Sequence, residues 1–168
     1  MLAENRPSWE KYYMSIAHAV KTRANCSRRA VGAIIVVDRG IVSTGYNGTP
    51  FGVTNCNEGG CARCASDIPS LEGYEFCICV HAEQNAIAEA ARRGIAIRGG
   101  TLYSTLRPCI GCLKELIQTN VLAIFYEQDL PYARVEMENV YKDLVAQSRV
   151  NLVQYSTEEV ENSYRISK

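Results

Sequence analysis

The chain has 168 residues, 47% of them apolar and 21% charged, with eighteen Lys and Arg balanced by eighteen Asp and Glu. That length suits one domain, able to bury about two-thirds of its unfolded surface. Zero formal charge argues against sequence-independent binding to nucleic acid, which needs a basic surface to displace counterions, and no apolar run approaches membrane-spanning length.

Ser8 is a good N-cap, and Trp9, Tyr13, Ile16 and Val20 recur at helical spacing, so residues 8–23 are expected to form an amphipathic helix. His18 has no partner motif and reads as a packing or surface residue. Lys21, Arg23, Arg28 and Arg29 fall within nine positions, either as a solvated helix end and loop or as a phosphate-binding group. Val31 to Val37 reads as a strand buried on both faces. A turn at Asp38-Arg39-Gly40 returns the chain as a second strand, Ile41 to Tyr46. Asn47-Gly48-Thr49-Pro50 then breaks it; Asn47 is a turn residue or a ligand-binding amide.

Residues 51–80 form a long insertion with little periodicity, carrying Cys56, Cys61, Cys64, Cys77 and Cys79. A segment this long needs a function or an internal staple. A second, structural zinc held by Cys56, Cys61, Cys64 and Cys77 would supply one, leaving Cys79 as buried core; a loop of free thiols is the alternative. The eight cysteines, with no signal peptide after Glu4, Asn5 and Arg6, point to a reducing, cytoplasmic setting with thiols and metal rather than disulfides.

A helix is expected from His81 to Gly94, then a third strand at Thr101 to Thr105. Pro108 suits the first position of the next helix, with Ile110, Leu113, Leu116 and Ile117 as its buried face. Val121 to Tyr126 is a fourth strand. Pro131 to Gln147 reads as a helix packing through Val135, Val140, Leu144 and Val145, and Val150 to Tyr155 as a fifth strand. Thr157 to Lys168 is polar and expected to fray. The order α-β-β-α-β-α-β-α-β implies an α/β fold with helices on both faces of a sheet whose last two strands are parallel.

The chemistry concentrates at two short motifs, His81-Ala82-Glu83 and Pro108-Cys109-Ile110-Gly111-Cys112. Zinc takes nitrogen and thiolate ligands in a tetrahedron, and a catalytic zinc keeps one position for water. His81, Cys109 and Cys112 would be its three protein ligands, with Glu83 beside the metal as a proton carrier. Helix N-termini favour negative charge and thiolates. Each half alone is weak evidence; together they match the known H-x-E…P-C-x-x-C signature of zinc nucleobase deaminases.

The resemblance extends further. Arg28-Arg29-Ala30-Val31-Gly32-Ala33, then Thr44-Gly45-Tyr46-Asn47-Gly48-Thr49-Pro50, the cysteine-bearing insertion and His81-Ala82-Glu83-Gln84-Asn85-Ala86-Ile87 resemble the cytidine deaminase superfamily, and within it the deoxycytidylate (dCMP) deaminases, from about residue 10 to residue 155. The resemblance implies a three-layer α-β-α sandwich around a five-stranded mixed sheet, and hydrolysis of dCMP to dUMP and ammonia in pyrimidine nucleotide supply. It further implies homo-oligomers, often hexamers, activated by dCTP with Mg2+ and inhibited by dTTP, with Asn47 near a nucleotide or effector site. The 5′-phosphate would be met by Arg28, Arg29 or Arg107. Cys77 matches a recurring cysteine four before the zinc histidine; Cys79 and Arg107 depart from the pattern. Two rival readings remain: the same chemistry on dCTP, a free nucleoside or another base, and a non-catalytic zinc-stabilised binding module.

Overall fold

The computed structural model describes residues 6–156. Its elements are α1 (Trp9–Lys21), β1 (Gly32–Val37), β2 (Gly40–Tyr46), a four-residue α2 (Ala62–Ala65), α3 (Ala82–Arg92), β3 (Thr101–Leu106), α4 (Ile110–Gln118), β4 (Ala123–Gln128), α5 (Val135–Gln147) and β5 (Asn151–Gln154), with 3-10 turns at Cys56–Glu58 and Tyr74–Phe76. The polar tail expected to fray, Thr157 to Lys168, lies outside the described residues.

The five strands form one mixed sheet in the order β2-β1-β3-β4-β5. β1 is antiparallel to both β2 and β3, while β3, β4 and β5 run parallel. The β1–β2 hairpin closes through Asp38 and Arg39, both at positive φ (49° and 64°), the twist a two-residue hairpin turn requires.

Side chains along β1 alternate between two cores, as a strand buried on both faces must. Ala33 and Ile35 join Ala82, Ala86, Leu113, Leu116 and Tyr141, which places α3, α4 and α5 on one face. Ile34 and Val36 join Tyr13, Met14 and Ala17 of α1 and Tyr103 on the other. The result is the expected three-layer arrangement. Two glycines set the layer spacing. A Cβ on Gly32 would lie 2.2 Å from the Ala17 carbonyl oxygen, and one on Gly45 would lie 2.1 Å from that of Ala82. Helix backbone therefore rests directly on the sheet at both places, and α3 is held where its first turn meets the strand end.

Several expectations are corrected. The inward face of α1 is Tyr13, Met14 and Ala17, flanked by Ile16 and Val20, while Trp9 is 42% exposed. The last helix begins at Val135 rather than Pro131. Val135 and Val140 face outward, and Tyr141, 1% exposed, is its anchor. Tyr141 shares one face with Leu144 and Val145 at helical spacing, whereas Val140 lies a turn-third away from it. His18 is the surface residue expected, its side chain 41% exposed, with Nε2 2.8 Å from Glu127 on β4.

Candidate active site

His81 and Cys109 occupy the same position in two different helices: each is the N-cap residue, of α3 and α4 respectively. The Gln84 side chain accepts a hydrogen bond from the His81 N–H at 3.1 Å, and the Ile110 N–H donates to the Tyr132 hydroxyl at 2.8 Å. These bonds satisfy N–H groups that helix starts leave open. Pro108 precedes the cap of α4 instead of opening the helix, so Cys109 lies at the mouth of α4 and Cys112 inside its first turn.

The three side chains converge. His81 Nδ1 is 3.4 Å from Cys109 Sγ and 3.3 Å from Cys112 Sγ, and the two sulfurs are 3.6 Å apart. Ideal tetrahedral zinc, with bonds of about 2.0–2.3 Å, separates nitrogen from sulfur by about 3.5 Å and sulfur from sulfur by about 3.8 Å. The donor set therefore fits zinc in both chemistry and size. It supplies three ligands, the number that keeps a catalytic position open.

Glu83, the second residue of α3, is 4% exposed. Burial pushes its carboxyl above the ordinary range, opposed by the neighbouring His81. A hydrogen bond with Cys112 is the main cause that draws the Cys109 thiol down to about 4, with burial opposing it and His81 adding to it. The same bond, then burial, drives Cys112 upward. His81 is raised: burial works against its charge, but the Cys109 contact together with the Glu83 and Glu115 carboxylates outweighs that.

A cavity opens in front of these groups, lined by Arg29, Asn47, Leu71, Tyr74, Glu83 and Arg107 among others. Tyr74 stands edge-on to the His81 ring at 5.1 Å, and the Arg63 guanidinium lies 5.1 Å over Tyr74. Neither Tyr74 nor Arg63 is singled out by the sequence. The signal available was weak: Arg63 is the one basic residue of the cysteine-rich insertion, and Tyr74 is one of three aromatics there with Phe51 and Phe76.

The remaining candidates are differently employed. Asn47 is 7% exposed, and its amide is used on the backbone: Oδ1 accepts from the Val31 N–H at 2.8 Å, and Nδ2 donates to the Arg29 carbonyl at 2.7 Å. The Arg28 guanidinium donates to the carbonyls of Ser66 and Ile68, which ties down the insertion. Arg107 is not a free cation facing a ligand. It bonds Asp129 at 3.1 Å and Glu138 at 2.9 Å, and lies 3.9 Å over the Tyr141 ring. The Arg29 side chain is exposed, lines the cavity and has no ion pair among the described residues.

The insertion cysteines also gather, but not as the expected foursome. Cys56 groups with Cys26, Cys64 and Cys79, whereas Cys61 and Cys77 group with Cys64 and Cys79. Cys79 is therefore not mere core, and Cys26, upstream of the insertion, belongs to the cluster.

Residues 7–128 match the family described as the cytidine and deoxycytidylate deaminase zinc-binding region. The chain is 37% identical over 150 residues to the deoxycytidylate deaminase of Schizosaccharomyces pombe, covering 89% of this chain and 45% of that protein. It is 42% identical over 123 residues to the deoxycytidylate deaminase of Saccharomyces cerevisiae, covering 73% of this chain and 38% of that protein. The aligned part thus spans less than half the length of either yeast relative. Among solved structures, the dCMP deaminase of the cyanophage S-TIM5 in complex with dCMP and dUMP superposes with a TM-score of 0.67 at 31% identity, covering 89% of this chain and 98% of that one. A matching family region across most of the chain, together with a three-ligand centre and its buried carboxylate, means that this protein belongs to the cytidine and deoxycytidylate deaminase family.

Proposed function

We propose that the chain hydrolyses dCMP to dUMP and ammonia at the His81–Cys109–Cys112 centre. The observation that carries this reading is Glu83, buried beside a three-ligand set. A purely structural zinc would take a fourth protein ligand and has no use for such a carboxylate. Choice of nucleotide is supported by the likeness to the cyanophage enzyme bound to dCMP and dUMP.

Zinc held by these three residues supplies a Lewis acid that lowers the pKa of water toward neutrality. Glu83 does the proton work. It takes a proton from the attacking water and passes it to N3 of the cytosine ring as C4 is attacked; it then takes the remaining proton from the new C4 hydroxyl and delivers it to the amino group, which leaves as ammonia as the C4–N bond breaks and the C4 carbonyl forms. Burial raises its affinity for that proton between the two transfers. Tyr74 closes one wall of the cavity against His81. Arg29, which has no ion pair among the described residues, meets the 5′-phosphate.

The same proposal includes activation by dCTP with Mg2+, inhibition by dTTP, a homo-oligomer and a cytoplasmic setting, all of which rest on the family resemblance. Ammonia release from dCMP, dCTP, deoxycytidine and cytidine, each with and without dCTP or dTTP plus Mg2+, tests it. Turnover strongest on dCMP, weak on deoxycytidine, raised by dCTP and cut by dTTP, is expected. Preference for another base or nucleotide overturns the substrate, and absence of any turnover from zinc-loaded protein overturns the catalytic reading.

A further inference from the structure

We propose that Cys26, Cys56, Cys61, Cys64, Cys77 and Cys79 form a second metal centre that holds two zinc ions, with Cys64 and Cys79 bridging them. Two groups of four thiols lie within ligand reach of one another: Cys26, Cys56, Cys64 and Cys79, and Cys61, Cys64, Cys77 and Cys79. They share two members. Two four-coordinate ions have eight positions, which six thiolates fill when two of them are shared.

The spacing agrees. Sulfur separations are 3.8 Å for Cys26–Cys64, 3.9 Å for Cys61–Cys77, 3.9 Å for Cys64–Cys77 and 3.8 Å for the bridging pair Cys64–Cys79. The edge of a tetrahedron of zinc–sulfur bonds is about 3.8 Å, while a disulfide is about 2.05 Å. All eight cysteines of the chain are free thiols. Backbone N–H groups point at the sulfurs, as they do around metal thiolates: Ser27 donates to Cys56 at 3.4 Å, and Cys64 and Ile78 donate to Cys61.

Burial gives an independent argument. Within residues 51–80 the buried residues are Cys56, Cys61, Cys64, Cys79 and Arg63. Phe51, Val53, Phe76 and Ile78 point outward. The segment thus has no apolar core of its own, and thiols occupy the place where a core would be. A segment of thirty residues without such a core needs a covalent or metal staple.

Soft thiolates suit zinc, copper(I) or iron–sulfur clusters. Iron–sulfur clusters use four cysteines and inorganic sulfide. Here the bridging positions belong to the protein's own Cys64 and Cys79. Six thiolates and two dications leave a double negative charge, and Arg28, Arg29 and Arg63 line the cavity that Cys26, Cys64, Cys77 and Cys79 also border. Every coordination position is filled by protein, so the centre is structural. Cys79 lies two residues before His81, and Val80 pairs with Gly48 through both backbone groups, so the centre anchors the segment that delivers the catalytic histidine.

Metal content decides the matter without reference to turnover. The whole chain and its Cys109→Ser variant are purified from zinc-supplemented expression and measured for zinc, iron and copper per chain. About three zinc ions in the parent and about two in Cys109→Ser are expected. X-ray absorption at the zinc edge of the variant should show sulfur-only ligation and a metal–metal vector. One zinc or none in the variant, iron or copper in its place, or two zinc ions without the metal–metal vector, overturns the proposal. In the Cys109→Ser background, Cys26→Ala should lower the count to one or fewer; an unchanged count of two removes Cys26 from the site. If Cys26→Ala fails to fold, the measurements on Cys109→Ser alone still decide.

Discussion

The two cysteine-containing centres adjoin the same cavity and are built in opposite ways. Ligands of the His81 centre stand at the starts of α3 and α4, whose next turns bury Ala82, Ala86, Leu113 and Leu116 in the main core. Packing therefore holds these ligands together, and metal adds chemistry. Five members of the six-cysteine cluster lie in a segment whose longest regular element is the four-residue α2, and Cys26 joins them from upstream. There, in our proposal, metal holds the fold and adds no chemistry. Three ligands beside a buried carboxylate mark one kind of site, and six ligands with no vacancy mark the other.

The largest expected effect tests the catalytic half. Glu83→Gln keeps the shape of the side chain and removes its capacity to carry protons. Turnover should fall by about 10²- to 10⁴-fold, with zinc content and the unfolding transition unchanged. Turnover within a few-fold of the parent would assign the proton transfers to another group and erase the distinction between the two centres.

Removing ligands sharpens the contrast. Cys109→Ser should lose one zinc and all measurable turnover while thermal unfolding shifts little. Cys64→Ser, at the proposed bridge, should destabilise by about 3 kcal/mol or more, lowering Tm by roughly 6–12 °C, and open residues 51–80 to proteolysis. The opposite pattern, a fold lost with Cys109 and kept without Cys64, would break the comparison.

A smaller effect concerns what holds the catalytic half in place without metal. Arg107 directly precedes Pro108-Cys109, and its side chain is 6% exposed between Asp129 and Glu138. Arg107→Ala leaves the half-buried Glu138 with only the Tyr132 N–H at 3.1 Å and Lys142 at 3.8 Å as partners, which costs about 1.5–3 kcal/mol. Burial alone would raise the Glu138 carboxyl, but the hydrogen bonds from Arg107 and the Tyr132 N–H and the charges of Arg107 and Lys142 together hold it below the usual carboxylate range. A pKa lower in the folded state than in the unfolded one gives stability that is complete above the unfolded value and lost as pH falls through the folded one. Thermal unfolding followed from about pH 6 to about pH 3 should show a steeper acid decline in the parent than in Glu138→Gln. Parallel curves would remove this ion pair from the acid limb.

The convergence of His81, Cys109 and Cys112 was legible in the sequence because their spacing is local. His81 and Glu83 share a helix start, Cys109 and Cys112 share another, and the signature brings the two halves together. The sheet was legible because strands buried on both faces leave continuous apolar runs, as in β1. What was not legible depends on contacts across the chain. Cys26 meets Cys64 across 38 positions, and nothing in its own neighbourhood marks it as part of the insertion. Arg107 looked free because its carboxylate partners lie 22 and 31 residues onward. The packing face of α5 was misjudged because valines drew attention from Tyr141, a larger side chain with a polar tip that turns inward under Arg107.

The smallest effect separates neighbouring arginines. Arg28 is spent on the carbonyls of Ser66 and Ile68, so it belongs to the scaffold of the insertion. Arg29 lines the cavity with no ion pair among the described residues. If Arg29 meets the 5′-phosphate, Arg29→Ala should raise the KM for dCMP by about tenfold and leave the weak turnover of deoxycytidine unchanged, because the nucleoside has no phosphate to lose. Arg28→Ala should act through the insertion and lower turnover of both substrates by the same factor, leaving their ratio intact. A ratio that moves with Arg28 instead would place the phosphate against the insertion itself, and with it the six-cysteine cluster would frame the substrate directly rather than only anchor the chain that carries His81.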